Sequence, residues 1–217
     1  MPELTEIRQT ARGRYALLLD GAFAFSLDEE TFAAAGLHTA DWLDEAEVEA
    51  LRRQSDTRKA ADKAMELLAL RDHAAGELYQ KLCRRFDAPS AAAAVAKMQA
   101  LGLLDDGSVA RRRAAELLRK KKSRREIEAD LRAKGIDRDT AAAVLAELYE
   151  GDGGEGPDPE LENARRLVLG AYASRLAAGR RDAVAAALAR RGFAHAVIRA
   201  VLDEARDACP DDPGDAP

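Results

Sequence analysis

Two cysteines in 217 residues, Cys83 and Cys209, cannot build a disulfide framework, and a reducing compartment, the cytoplasm, fits such usage. Histidine is nearly as scarce. His38, His73 and His195 sit in unrelated segments without metal-ligand spacing, so neither a metal nor another cofactor is expected. Aromatic residues make up only 5% of the chain, which argues against the stacking platforms of single-strand nucleic-acid binders. No run of about 18 apolar residues exists to cross a membrane. The first ten residues, MPELTEIRQT, lack the basic-then-apolar order of a secretion signal. The glycine-rich GDGGEG at 151–156 lacks the preceding strand and the following Lys-Ser/Thr of a phosphate-binding loop. No carboxylate sits in an apolar stretch that would mark a general acid. With no catalytic constellation left, the chain is not expected to be an enzyme.

Charge and alanine are plentiful instead. Charged residues are 34% and hydrophobic residues 47%, with alanine the commonest of the latter, a composition suited to short, closely packed helices. The charge is unevenly spread: residues 1–57 carry a net −7, residues 58–150 a net +5 and residues 151–217 a net −3. Within the positive block, Arg111 to Lys134 holds eleven basic and four acidic side chains, in a chain whose overall charge is −5. Such asymmetry points to a polyanion or an acidic protein face as the partner of the middle. A solvated helical face with local ion pairs is the other reading.

The first 57 residues read as a small α+β module. RYALLLDGAFAF, Arg14 to Phe25, holds two short apolar runs around Asp20-Gly21, a dipeptide favoured where a hairpin turn needs positive φ. A two-residue turn pairs Leu18 with Phe23 and Ala16 with Phe25, and puts Leu17 with Ala24 on the other side. Glu6 to Thr10 supplies a candidate third strand. Ser26 and Glu29 have the spacing of a capping box for a short helix ending at Gly36. Thr39 is then expected to cap a turn carrying Trp42, with a helix following to about Arg53.

From residue 58 the pattern is helical and repeats. Leu78, Leu82, Phe86 and Val95 in one segment correspond to Ile127, Leu131, Ile136 and Val144 in the next, and to Val184, Leu188, Phe193 and Val201 in a third. The first and last of each set lie seventeen residues apart all three times. Each unit reads as three helices. In the second, Asp105 or Ser108 starts a helix with the stripe Ala110, Ala114, Leu117 and Leu118. Ser123 and Glu126 form a capping box for the next, Gly135 stops it, and Asp137 opens a third with Val144, Leu145 and Leu148 on its apolar face. In the third unit Pro159 sits near a helix start, Gly192 is the stop, and Val197, Val201 and Leu202 make the face. A 45-residue unit is marginal alone, so the units are expected to stack in series. The fold class is therefore mostly α: three tandem three-helix repeats in an elongated, curved array, preceded by a small α+β module built on a β-hairpin. The boundaries are residues 1–57 for that module, 58–104, 105–150 and 160–208 for the repeats, 151–159 for a linker, and 209–217 for a disordered acidic tail.

Helical geometry sorts the basic stretch. With Ala110, Ala114, Leu117 and Leu118 inward, Arg112, Arg119 and Lys120 fall opposite, and Arg111 and Arg113 flank them. Lys121 would fall near the core side, so the helix ends there and Lys120, Lys121 and Lys122 lie in the turn. On the next helix Ile127 and Leu131 face inward and Arg125 and Arg132 outward. Glu116 is spaced to pair with Lys120, and Glu128 with Arg132 or Arg124. Arg112, Arg119, Lys121, Lys122 and Arg125 then have no obvious acidic neighbour. The candidate partner-binding residues are Arg111, Arg112, Arg113, Arg119, Lys120, Lys121, Lys122, Arg124, Arg125 and Arg132.

The order of these segments resembles the RecX family of recombination regulators. The residues that carry the resemblance are RYALLLDGAFAFSLDEE, Ala64-x-x-Leu67-Leu68 with Glu77-Leu78 and Lys81-Leu82, GLLDD at Gly102 to Asp106, and LRAKGID at Leu131 to Asp137. The resemblance covers nearly the whole chain, residues 1–57 being similar to an N-terminal extension carried by some members. It implies three-helix repeats that bind the RecA recombinase filament, lodge in its groove and restrain ATP hydrolysis and strand exchange, with Gly102 to Gly135 as the contact region. Some relatives also bind DNA. Two positions depart from the family pattern: Val109 stands where an aromatic usually follows the acidic pair, and Lys121-Lys122-Ser123 occupies a bend that often contains glycine. The expected function is thus regulation of the RecA filament in recombination and repair, by a cytoplasmic monomer without a membrane span. DNA, single- or double-stranded, is a further candidate partner. A sequence-independent DNA-binding protein that acts without a recombinase is the alternative.

Overall fold

The computed structural model describes residues 1–150 and 157–207. The tail expected at 209–217 and all but the last three residues of the linker expected at 151–159 lie outside the described residues. The chain divides into two compact units, Met1–Leu104 and Asp105–Pro217.

The first unit begins with strands β1 (Leu4–Gln9), β2 (Tyr15–Leu19) and β3 (Ala22–Leu27), paired antiparallel in that order. Asp20 and Gly21 both take positive φ, 48° and 79°, as a two-residue hairpin turn requires. Leu18 pairs with Phe23 as expected, but the register slips between Leu17 and Leu18. Leu17 therefore pairs with Phe25 and Ala16 with Ser26, where the unbroken alternation had put Leu17 with Ala24 and Ala16 with Phe25. The bulge has a packing reason: it turns Leu17 and Phe25 into one buried cluster with Leu4 and Leu27.

Ser26 does not cap a helix. Strand pairing runs on through Leu27, so the cap falls to Asp28, which accepts the Thr31 amide at 3.1 Å and starts helix α1 (Glu29–Ala35). Gly36 stops it at φ 59°. Thr39 is likewise not the next cap: Trp42 bridges to Glu3 at the sheet edge, and Asp44 with Glu47 forms the capping box of helix α2 (Glu45–Leu70).

Helix α2 does not end near Arg53. It runs 26 residues, without a break at residue 57, so one helix serves both the N-terminal sheet and the first repeat. Its early part is tied to the sheet by Ser55, buried, whose hydroxyl donates to the Ser26 carbonyl at 2.5 Å, while Arg14 donates to the same carbonyl at 2.8 Å. Its later part packs Ala60, Ala61 and Ala64 against helices α3 (Ala75–Leu82) and α4 (Ala88–Ala100), through Leu78, Leu82, Val95 and Met98. Alanines on α2 and α4 let these backbones approach closely, which is what the composition favours.

The second unit holds α5 (Asp106–Arg119), α6 (Arg124–Ala133) and α7 (Arg138–Glu150), then α8 (Pro159–Leu169), α9 (Ala173–Ala177), α10 (Arg181–Arg190) and α11 (His195–Asp207). The third repeat thus has a short additional helix, α9, between its first two. Of the twelve apolar positions in the repeat template eleven are buried, and Phe86 packs half-buried against the cluster of the first repeat. The stop after the middle helix also recurs. Gly135 and Ile136 donate to the carbonyls of Arg132 and Leu131, and Gly192 and Phe193 to those of Ala189 and Leu188. This is the Schellman pattern, in which a left-handed residue turns the chain and the next apolar residue folds back inward. After α5 the same bonds form from Lys121 to Leu118 at 2.9 Å and from Lys122 to Leu117 at 3.1 Å, but the left-handed residue is a lysine, Lys121, at φ 57°.

Candidate functional site

The basic stretch forms α5, a left-handed bend and α6, and the structure divides its cations into those engaged inside the protein and those that are not. Ala110, Ala114 and Leu117 are buried, and Leu118 is half-buried, so α5 faces inward as the periodicity indicated. Ser123 caps α6 with its hydroxyl accepting the Glu126 amide at 3.2 Å.

Arg113, half-buried, is committed internally. Its guanidinium donates through Nε and Nη2 to both oxygens of Asp130, at 2.7 and 2.8 Å, and through Nη1 to Glu116 at 2.9 Å. This two-pronged pair braces α5 against α6, and the Arg113 hydrogen bonds hold the Asp130 carboxyl below the usual carboxylate range. Lys120 pairs with Glu116 at 2.5 Å, and Glu116 is lowered by Lys120 and then Arg113. Lys122 pairs with Glu126 at 2.8 Å, so it is not among the unpartnered cations that sequence spacing suggested. Nor is Arg112, exposed on α5, which has an interaction within the protein. Arg132 lies 3.9 Å from Glu128, and Arg111 lies 3.8 Å from Glu147, both exposed pairs of small energetic worth. Arg124 places its guanidinium 5.3 Å from the centre of the Tyr149 ring.

Four cations of this stretch have no ion-pair partner among the described residues: Arg124, which lies over the Tyr149 ring, and Arg119, Lys121 and Arg125, which have no such contact. Arg119 ends α5, Lys121 is the left-handed residue and Arg125 lies in the first turn of α6, so all three frame one bend. The positive end of the α6 dipole is at the same place, which adds to their mutual repulsion. The α6 terminus itself is occupied. Glu160, from the start of α8, is buried and accepts the Arg124 amide at 3.2 Å. Burial raises the Glu160 carboxyl above its ordinary value despite that hydrogen bond.

Sequence reasoning did not single out Glu160, Asn163 or Tyr149, which meet the second repeat here. Asn163 donates to the Leu118 carbonyl at 2.9 Å, and Ser123, besides capping α6, donates to the Arg191 carbonyl at 2.7 Å. One signal was available: Asn163 interrupts the apolar face formed by Ala164, Leu167 and Val168 on α8. Among the described residues no group of three or more His, Cys, Asp or Glu could hold a metal ion, and no helix is long and apolar enough to cross a membrane.

A tandem array of three-helix repeats, with an unneutralised cationic bend in its middle member, is the class that fold and site define. Residues 105–145, which contain that bend, match the family model described as RecX, second three-helix domain. The Regulatory protein RecX of Lactobacillus delbrueckii subsp. bulgaricus is 31% identical over 144 residues, 65% of this chain and 53% of that protein. Its namesake in Lactobacillus johnsonii is 30% identical over 171 residues, 77% of this chain and 60% of that protein. The chain thus spans between half and two thirds of the length of these relatives. Among solved structures, a regulatory protein RecX superposes with a TM-score of 0.66 at 22% identity, over 94% of this chain and all of that one. RecX from Lactobacillus salivarius superposes with a TM-score of 0.58 at 19% identity, over 69% of this chain and 96% of that one. Residues 105–145 thus carry the second three-helix domain of the RecX family, and the chain is similar to RecX proteins over most of its length.

Proposed function

We propose that this chain is a non-catalytic regulator that binds the RecA recombinase filament and inhibits its ATPase and strand exchange. The carrying observation is the bend of the middle repeat, where Arg119, Lys121 and Arg125 stand without anionic partners inside the segment that matches the family model. Unpaired cations beside a helix N-terminus repel one another, and contact with an acidic protein face or with phosphates removes that repulsion. The set proposed for contact is narrower than the charge run itself. Arg119, Lys121 and Arg125 lead, Arg111, Arg112, Lys120, Arg124 and Arg132 surround them, and Arg113 and Lys122 act by shaping the bend. The chain works in the cytoplasm as a monomer in this reading.

The test is RecA ATPase and strand exchange on single-stranded DNA with the protein at substoichiometric amounts. Inhibition by the wild type, lost when Arg119, Lys121 and Arg125 are all changed to Glu, supports the proposal. No effect of the wild type at any ratio refutes it, and tight DNA binding without recombinase as the main activity would replace it with the DNA-binding alternative.

A further inference from the structure

The contact between the second and third repeats has a chemistry unlike that inside them. The apolar cluster of the third repeat is built from α8, α10 and α11, with Ala164, Leu188 and Val201 at its centre and no residue of the second repeat in it. Among the described residues, polar groups link the two repeats. Ser123, Glu160 and Asn163 are three of the six buried polar or charged residues among those described, and each makes a hydrogen bond across this joint. Water can replace such bonds at little net cost, whereas separating packed apolar cores cannot be compensated in that way. The joint is also imperfectly satisfied: the Tyr149 hydroxyl, beside Glu160 and Arg124, is buried with no hydrogen-bond partner. Separation would hydrate it and the Glu160 carboxylate together.

The joint also lies against the cationic bend. A Cβ placed on Gly192 would stand 3.0 Å from the Ser123 hydroxyl, and 3.4 and 3.5 Å from Cβ and Cδ of Arg125, so the Arg125 stem lies across Gly192. Immediately before Gly192 come Arg190 and Arg191, the end of α10. Arg191 donates to the Tyr172 hydroxyl at 3.4 Å, and Arg190 is exposed with no ion-pair partner among the described residues. Docking therefore sets the chain at Arg191 and Gly192 against Ser123 and Arg125.

We propose that the partner-binding surface is composite: the third repeat docks reversibly on the second through this polar joint, and docking brings Arg190 and Arg191 alongside Lys121 and Arg125 to make one surface for an acidic face of the recombinase filament. The surface half of the proposal rests on the recombinase reading, and the docking half does not.

The two halves are read separately on the 217-residue chain. Native-state hydrogen exchange reports docking, because the Arg124 amide is bonded across the joint while the Ile127 and Ile198 amides are bonded within their own helices. Changing Asn163→Ala, which removes the joint bond to the Leu118 carbonyl and leaves the Glu160 acceptor of the Arg124 amide in place, is expected to speed exchange at Arg124 by about tenfold and leave Ile127 and Ile198 unchanged. Equal acceleration at all three, or none at Arg124, would overturn reversible docking. Binding to the RecA filament reports the surface. Arg190→Glu is expected to weaken it about tenfold, as Arg125→Glu does, while Arg206→Glu at the far end of α11 has no effect. An Arg190→Glu variant that binds like the wild type while Arg125→Glu is weakened overturns the composite surface. A wild-type chain that does not bind the filament overturns the recombinase reading and the surface with it, and hydrogen exchange still decides the docking.

Discussion

Replacing Lys121 with glycine separates the backbone requirement at the bend from its charge. Lys121 closes α5 in the left-handed region at φ 57°, with the hydrogen bonds that Gly135 and Gly192 make after α6 and α10. An L residue in that region costs about 1–2 kcal/mol relative to its right-handed alternative. Glycine avoids that cost but has more freedom to lose on folding, about 0.5–1 kcal/mol. The side chain of Lys121 forms no ion pair among the described residues, so its removal forfeits little else. The balance is a stabilisation of about 0.5–1 kcal/mol from Lys121→Gly, the difference of the two terms. For a unit of roughly 100 residues this corresponds to a rise in Tm of about 2–8 °C. The assay is urea unfolding followed by circular dichroism, with the midpoint shifting at constant slope. Filament binding, measured on the same protein, should weaken, because an unpaired cation of the bend is gone. Stability and binding would then move in opposite directions at one residue. An unchanged or lowered midpoint would refute the strain argument, and unchanged binding would remove Lys121 from the contact set. The reverse exchange supplies a control: Gly102, at φ 67° with open space around its Cβ position, should lose about 1 kcal/mol as Gly102→Lys.

The other predictions concern the core, the internal ion pair and the buried carboxyl. Leu131→Ala, at a fully buried position of the repeat template, should cost about 2–5 kcal/mol, and an unchanged melting temperature would contradict the alignment of the repeats. Asp130→Asn leaves Arg113 half-buried without its two-pronged partner, and should lower stability by about 1–3 kcal/mol while Arg112→Gln, on the exposed face, changes it by less than about 0.5 kcal/mol. Because burial raises the Glu160 carboxyl, the folded chain binds that proton more tightly than the unfolded chain does. The group therefore favours folding most when protonated, and its contribution is lost as pH rises through the raised value, with Arg124 favouring the anion and Asp158 opposing it. The stability of Glu160→Gln relative to wild type should accordingly grow from the ordinary carboxylate range near 4.5 towards neutrality, and a difference that stays constant with pH in urea titrations would contradict it.

Much of this protein is legible without coordinates. The seventeen-residue spacing placed Leu78, Ile127 and Val184 in three separate cores, and all three are buried without exposure. Such patterns survive because burial of one helical face is a local consequence of period and residue type. Caps that depend on two nearby residues, as at Ser123 with Glu126, are equally local. The boundaries that went astray depended on distant strands. Ser26 had the spacing of a cap but was held in β3 by pairing with Ala16, and α2 continued past Arg53 because its two ends serve different cores.

The sequence by itself determined the helical repeat, the asymmetry of charge and the place of the bend, since each follows from residue types a few positions apart. Only the tertiary structure decided which cations of the bend are engaged and which are not. Arg113 finds Asp130 seventeen residues away, and Glu160 reaches the α6 terminus from thirty-six residues away, separations at which spacing along the chain no longer reports proximity in space.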